Sequence, residues 1–102
     1  MHGFQGLTLF VKGTEDLIIS SRKTFIVRTE GGKKRCGGLG DILSGAVAVC
    51  AQWDFTYGPV LASRIIRIAT RKGFEKEGRG MTAPNVISEL TQVVKGIEAA
   101  SL

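Results

Sequence analysis

The chain has 102 residues, 43% hydrophobic and 23% charged, which suits one ordered globular unit, or a piece of one, and argues against disorder. Lys and Arg number 14 against 9 Asp and Glu, a net charge of +5 that suits nucleic acid, an anionic membrane surface or phosphorylated small molecules. Aromatics are few and no DNA- or RNA-binding signature is present, so nucleic acid finds no support.

The opening "MHGFQG" is neither a signal peptide nor a transit peptide and carries no targeting information; an intracellular setting, cytoplasmic or mitochondrial, is expected from two thiols read as reduced. Leu7 to Lys12, "LTLFVK", is rich in β-formers and reads as a buried strand. "GTED" turns the chain. "LIIS" and "TFIVRT" then read as two strands joined by "SRK", a hairpin. A loop of Gly, Lys and Arg follows from Glu30 to Gly40.

At Asp41 the pattern turns helical. Ile42, Ala46, Val49 and Trp53 recur on one face, with Trp53 expected to pack on the core. The longest apolar run, Ala46 to Ala51, is far short of the about 20 residues a membrane helix needs. "TYGPV" breaks the chain, and Pro59 suits the first turn of a second helix, Val60 to Glu77. That helix gathers Leu61, Ile65, Ile68 and Ala69 on one side. Arg64, Arg67 and Arg71 form a basic stripe on another, expected to be solvated or to meet phosphate or a partner. "EGRGM" reads as a loop. Thr82 is the expected cap of a third helix, with Pro84 in its first turn and Val86, Leu90, Val93, Val94 and Ile97 as its apolar stripe to about Ala99.

The chemistry concentrates where the loop meets the first helix. A helix start presents unpaired N–H groups and the positive end of the helix dipole. Glycines there let an anion approach the backbone closely, since no β-carbon intervenes. "CGGLGD" supplies Gly37, Gly38 and Gly40, and Lys33, Lys34 and Arg35 add mobile positive charge. The loop is neither a Walker A sequence nor a Gly-x-Gly-x-x-Gly fingerprint. Asp41 is either a capping or first-turn carboxylate or a general base beside bound phosphate, and both roles put it at the same helix end. Lys12 is either a solvated strand-end lysine or part of the site, and the Asp16 side chain reads as a turn cap. Cys36 and Cys50 lack Cys-x-x-Cys spacing and the lone His2 is terminal, which argues against a zinc site and thiol catalysis, and both thiols are expected reduced.

"GGKKRCGGLGDILSG", with "VKGTED" upstream and "GRGMTAPNVISEL" downstream, resembles the ATP-dependent NAD(P)H-hydrate dehydratases, a branch of the ribokinase-like fold. The resemblance runs along nearly the whole chain but matches only the last third or so of a family member. It implies an α/β chain that is the C-terminal part of a three-layer α/β/α ribokinase-like domain, 1–102, with strands in 1–29, a phosphate loop in 30–41 and three helices in 41–100. Such enzymes use ATP, with magnesium, to phosphorylate the hydroxyl of hydrated NADH or NADPH, and loss of phosphate restores the nicotinamide. By motif, Lys12, Gly13, Thr14, Glu15 and Asp16 would line the nucleotide. Gly31, Gly32, Lys33, Lys34, Arg35, Cys36, Gly37, Gly38, Leu39 and Gly40 would hold its phosphates, and Asp41 would meet the substrate hydroxyl as base. Leu39 stands where glutamine is common in eukaryotic members. No metal ligand is assigned, and no nucleic acid or membrane partner.

Two other readings share these residues. One is a ribokinase-type kinase of small alcohols. The other is a truncated, non-catalytic isoform that binds nucleotide, associates with itself or joins a full-length subunit.

Overall fold

The computed structural model describes residues 7–32 and 37–101. Three strands, β1 (Thr8–Val11), β2 (Asp16–Ser20) and β3 (Thr24–Val27), form an antiparallel sheet in the order β1-β2-β3. The expected hairpin is there. Its turn closes through the Ser20 N–H on the Lys23 carbonyl at 2.8 Å, and the Ser20 hydroxyl bonds both backbone groups of Lys23.

Register decides which side chains face inward. Phe10 lies opposite Ile18 and Ile18 opposite Phe25, on the face turned to the helices, where Ile18 and Val27 are buried. On the other face Leu9 opposes Ile19, and Val11 and Ile26 both oppose Leu17. That second face is apolar yet open: Leu9 is 51% exposed, Val11 46% and Ile26 48%. The expectation of a buried first strand is therefore corrected. Alternate residues of β1 meet solvent, because successive side chains point to opposite sides of a sheet and only one side is covered.

Helices α1 (Leu39–Trp53), α2 (Gly58–Glu77) and α3 (Ala83–Ser101) follow, with a short 3-10 turn, Gly78–Gly80, where a loop was expected. α2 is the centre of the arrangement. It packs against α1 on one side and α3 on another, and it also touches β2 and β3. Cys50, Ala62 and Ile65 are buried together, with Ala46, Val47, Leu90, Val93 and Val94 around them. A second cluster joins Ala69, Met81 and Val86 to Leu39, Ile42, Phe74 and Leu90. Burial pushes the Cys50 thiol pKa up, so it stays protonated and packs as a small apolar group.

The class is α/β, as expected for a piece of a ribokinase-like fold. Local details differ. The buried stripe of α1 runs through Ile42, Ala46 and Cys50, so Val49 is half exposed and Trp53 is 67% exposed. Trp53 does not close the core: the buried line steps by four residues from Ile42 through Ala46 to Cys50, drifting by about 40° per step in a helix of 3.6 residues per turn, and leaves Trp53 to one side. Pro59 sits in the first turn of α2, and the Asp54 carboxylate accepts the Thr56 and Tyr57 N–H groups just before it. Thr82 precedes α3, and Asn85 returns its side-chain oxygen to the Thr82 N–H at 2.7 Å, the reciprocal half of a capping box. Among the described residues no helix is long and apolar enough to cross a membrane.

Met81 is fully buried beneath Ala69 and Val86. Met81→Ala should lower the unfolding free energy by about 2–5 kcal/mol in urea denaturation. Leu9→Lys on the open sheet face should change it by no more than about 0.5 kcal/mol. A large loss from Leu9→Lys would show that this face is covered in solution.

Candidate functional site

Two loops and one helix start converge over α2. The first loop follows β1 and contains Lys12 to Glu15; the second follows β3 and reaches Gly32. Together with the start of α1 they enclose a cleft of about 480 Å³, lined by Lys12, Gly13, Gly31, Gly32, Leu39 and Gly40 from above. Its floor is Asp16, Leu43, Ser63, Ile66, Arg67 and Thr70.

The helix start is built by Gly38. Its φ of 90° lies in the left-handed region, which a side chain rarely tolerates, and α1 begins at the next residue. The helix thus starts two positions before Asp41, and Asp41 falls within the first turn, not at the cap. A carboxylate there complements the helix dipole. Asp41 is exposed, and its carboxylate bonds none of the described residues. The Lys12 ammonium reaches across from β1 and stands 3.6 Å from where a Cβ of Gly40 would lie. Strand-end cation, bare glycine backbone and helix N-terminus meet at one point. That is the charge pattern an anion requires.

Gly32 shows why the second loop needs glycine. A Cβ there would lie 2.6 Å from the Thr70 carbonyl oxygen, a backbone atom that cannot swing aside. The loop instead lies flat on α2, with the Gly32 N–H donating to the Thr70 hydroxyl at 3.2 Å.

Beneath both loops sits a buried ion pair. The Arg67 Nε–H donates to Asp16 Oδ2 at 3.0 Å, and its Nη2 lies 2.8 Å from Asp16 Oδ1. Nη2 also donates to the Gly13 carbonyl at 2.8 Å, while Nη1 donates to the carbonyls of Thr14 and Thr29 at 2.8 and 3.2 Å. Every N–H of the guanidinium is engaged. Asp16 is equally committed: the Gly13 N–H donates to Oδ1 at 3.1 Å and the Ser63 hydroxyl to Oδ2 at 2.7 Å. Burial by itself would raise the Asp16 pKa. The hydrogen bonds from Arg67, Ser63 and Gly13, with the Arg67 charge, outweigh it and hold the carboxyl below its ordinary 3.8.

The sequence-derived site residues fall into groups. Lys12, Gly13, Asp16, Gly31, Gly32, Leu39 and Gly40 line the cleft. Thr14 and Glu15 line a neighbouring hollow of about 710 Å³ with Arg28, Thr29 and Glu30, and Glu15 pairs with Arg28 at its rim. Gly37, Gly38 and Asp41 are exposed beside the cleft. Lys33, Lys34, Arg35 and Cys36 lie outside the described residues. Asp16 does cap its turn, as read from the sequence, but it also carries the ion pair.

The basic stripe is corrected in part. Arg64 is exposed, whereas Arg67 is the bonded centre of the site. Sequence reading missed this residue together with Ser63 and Thr70. The signal was available: polar Ser63, Arg67 and Thr70 at i, i+4 and i+7 run down one line of a helix whose flanking positions, Ala62, Ile66 and Ala69, are apolar. Among the described residues no group of three or more His, Cys, Asp or Glu side chains could hold a metal, and both oxygens of Asp16 are taken.

Because the native Asp16 pKa is depressed, its contribution to stability is fully present above the ordinary carboxylate value. It is lost as pH falls through 3.8 toward the lower native value. Asp16→Asn should therefore destabilise the fold by about 3 kcal/mol at pH 7, since Arg67 is left buried without its counter-charge. The gap to the unmodified chain should narrow below pH 4 in melts taken from pH 7 to pH 2. A gap that stays constant with pH would contradict the ion pair.

The model of the NAD(P)H-hydrate dehydratase family matches residues 2–92. Among curated proteins the chain is similar to the ATP-dependent (S)-NAD(P)H-hydrate dehydratase of Danio rerio, 34% identical over 87% of this chain and 31% of that protein. The enzyme of that name from Mus musculus is 32% identical over 82% of the chain and 28% of its own length. The Caenorhabditis elegans enzyme is 29% identical over 94% and 35% respectively. The chain spans about a third of the length of these relatives. By the match along most of its length, the chain belongs to the NAD(P)H-hydrate dehydratase family.

Proposed function

We propose that this chain is the C-terminal, ATP-holding part of a ribokinase-like domain that repairs hydrated NADH and NADPH. The observation that carries the reading is the meeting of the Lys12 ammonium, the glycine backbone and the α1 N-terminus in one cleft. In this reading Lys12, Gly13, Gly31, Gly32 and Gly40 hold the phosphates of ATP, and Lys33, Lys34 and Arg35 supply further charge. Thr14 and Glu15 border the nucleotide from the neighbouring hollow. Asp41, exposed in the first turn of α1, accepts the proton of the substrate hydroxyl as that oxygen attacks the terminal phosphorus. The bond from phosphorus to the bridging oxygen of ADP breaks, and the α1 N-terminus stabilises charge on the transferring oxygens. The carbon–oxygen bond to phosphate then breaks, the neighbouring ring carbon gives up a proton to solvent, and the ring double bond of the reduced nicotinamide is restored. Family membership favours the hydrate over the sugar or vitamin alcohol of a general ribokinase-type kinase.

In a family-length protein carrying this segment, Asp41→Asn should reduce turnover by about a hundredfold or more while ATP affinity changes little. The assay follows recovery of reduced-nicotinamide absorbance from the hydrate. Undiminished turnover removes Asp41 as the base.

The open sheet face supports a second element of the proposal. Leu9, Val11 and Ile26, beside Leu17 and Ile19, form an apolar surface of the kind that a layered α/β protein buries. The relatives are about three times as long, and their remaining two-thirds is the occupant proposed for this face. The chain and the first two-thirds of the Danio rerio relative, expressed together, should elute as one complex in size-exclusion chromatography. Leu9→Asp combined with Ile26→Asp should separate them, and a complex indifferent to those changes would place the contact elsewhere.

A further inference from the structure

The two loops that frame the cleft come from different strands, and each hangs from the same line of α2. Ser63 holds Asp16 at the end of the first loop, and Thr70 holds the Gly32 N–H in the second. Arg67, between them, is the one side chain of this line that bonds both: the Gly13 and Thr14 carbonyls on one side and the Thr29 carbonyl on the other. Thr70 is itself fixed, its hydroxyl donating back to the Arg67 carbonyl at 2.9 Å.

From this we infer that Arg67 is a positioning residue: it sets the spacing between the backbone groups of Gly13 and of Gly31–Gly32, and through that spacing the affinity of the cleft for nucleotide. The inference rests on the reading of the cleft as a nucleotide site. Arg67 does not itself take phosphate, because every guanidinium N–H is already committed to protein acceptors. Its influence is geometric. A cradle of amides works only while its donors keep their mutual positions, and a planar fork with donors on three nitrogens can hold two loops at once. Lysine keeps the charge and can still pair with Asp16, but one ammonium cannot reach Gly13, Thr14 and Thr29 together. Charge alone therefore does not substitute.

The test compares the chain with Arg67→Lys, Thr70→Val and, as a control, Ile65→Val, which trims the buried cluster of Cys50 and Ala62 away from the cleft. Hydrogen exchange is followed peptide by peptide, and ATP binding by calorimetry. Arg67→Lys should speed exchange in both 12–16 and 28–32 while α3 keeps its protection, and should weaken ATP binding about tenfold or more. Thr70→Val should loosen 28–32 alone. Ile65→Val should leave both loops and the affinity as they were. Uniform loosening in Arg67→Lys, the same local effect from Ile65→Val, or loosened loops with unchanged ATP affinity would each overturn the inference. If the unmodified chain takes up no ATP, the nucleotide reading falls, and whether Arg67 couples the loops is still decided by exchange.

Discussion

The Arg67–Asp16 pair is the interaction on which the rest of the site depends. It joins the central helix to the sheet at the point where β2 begins, and it places both cleft-forming loops as a consequence. A buried ion pair is often no more stabilising than well-packed apolar residues would be, because desolvation offsets much of the Coulomb attraction. What it supplies here is geometry. Carbonyls of the two loops turn toward the guanidinium, and the loop glycines lie on the cleft side.

This arrangement divides the labour among the charges. Asp16 and Arg67 neutralise one another in the floor of the cleft, which leaves Lys12 and the start of α1 as the positive groups at its mouth. Asp41 remains exposed at that start. Because Asp16 is engaged by Arg67, Ser63 and the Gly13 N–H, Lys12 is not drawn into a pair with it. The neighbouring hollow continues past Gly31, Gly32 and Arg67, so the two cavities share a wall made of the same pinned loop.

Much of this was legible in the sequence because it rests on local rules. Alternation gave the hairpin, apolar spacing gave the three helices, and the glycine-rich motif pointed to the cleft and, by resemblance, to the family. What was not legible depends on the third dimension. Arg67 reads as one of three spaced arginines, and only the approach of the loops distinguishes it from Arg64. Trp53 completes a helical spacing on paper, but the buried line of α1 runs through Cys50. Gly38 moved the helix start by two residues because its backbone angle, not a side chain, ends the loop. The first strand looked buried because its residues are apolar, and the sheet covers only one of its faces.

The central claim is that the glycine loops and the start of α1 form one anion-binding surface. Titrating the isotopically labelled chain with ATP and following backbone amide resonances tests it most directly. The account predicts that the largest shifts cluster at Gly13, Gly31, Gly32 and Gly40, with the amides of α3 unmoved. Shifts confined to the open face of the sheet, or scattered over exposed lysines, would contradict it.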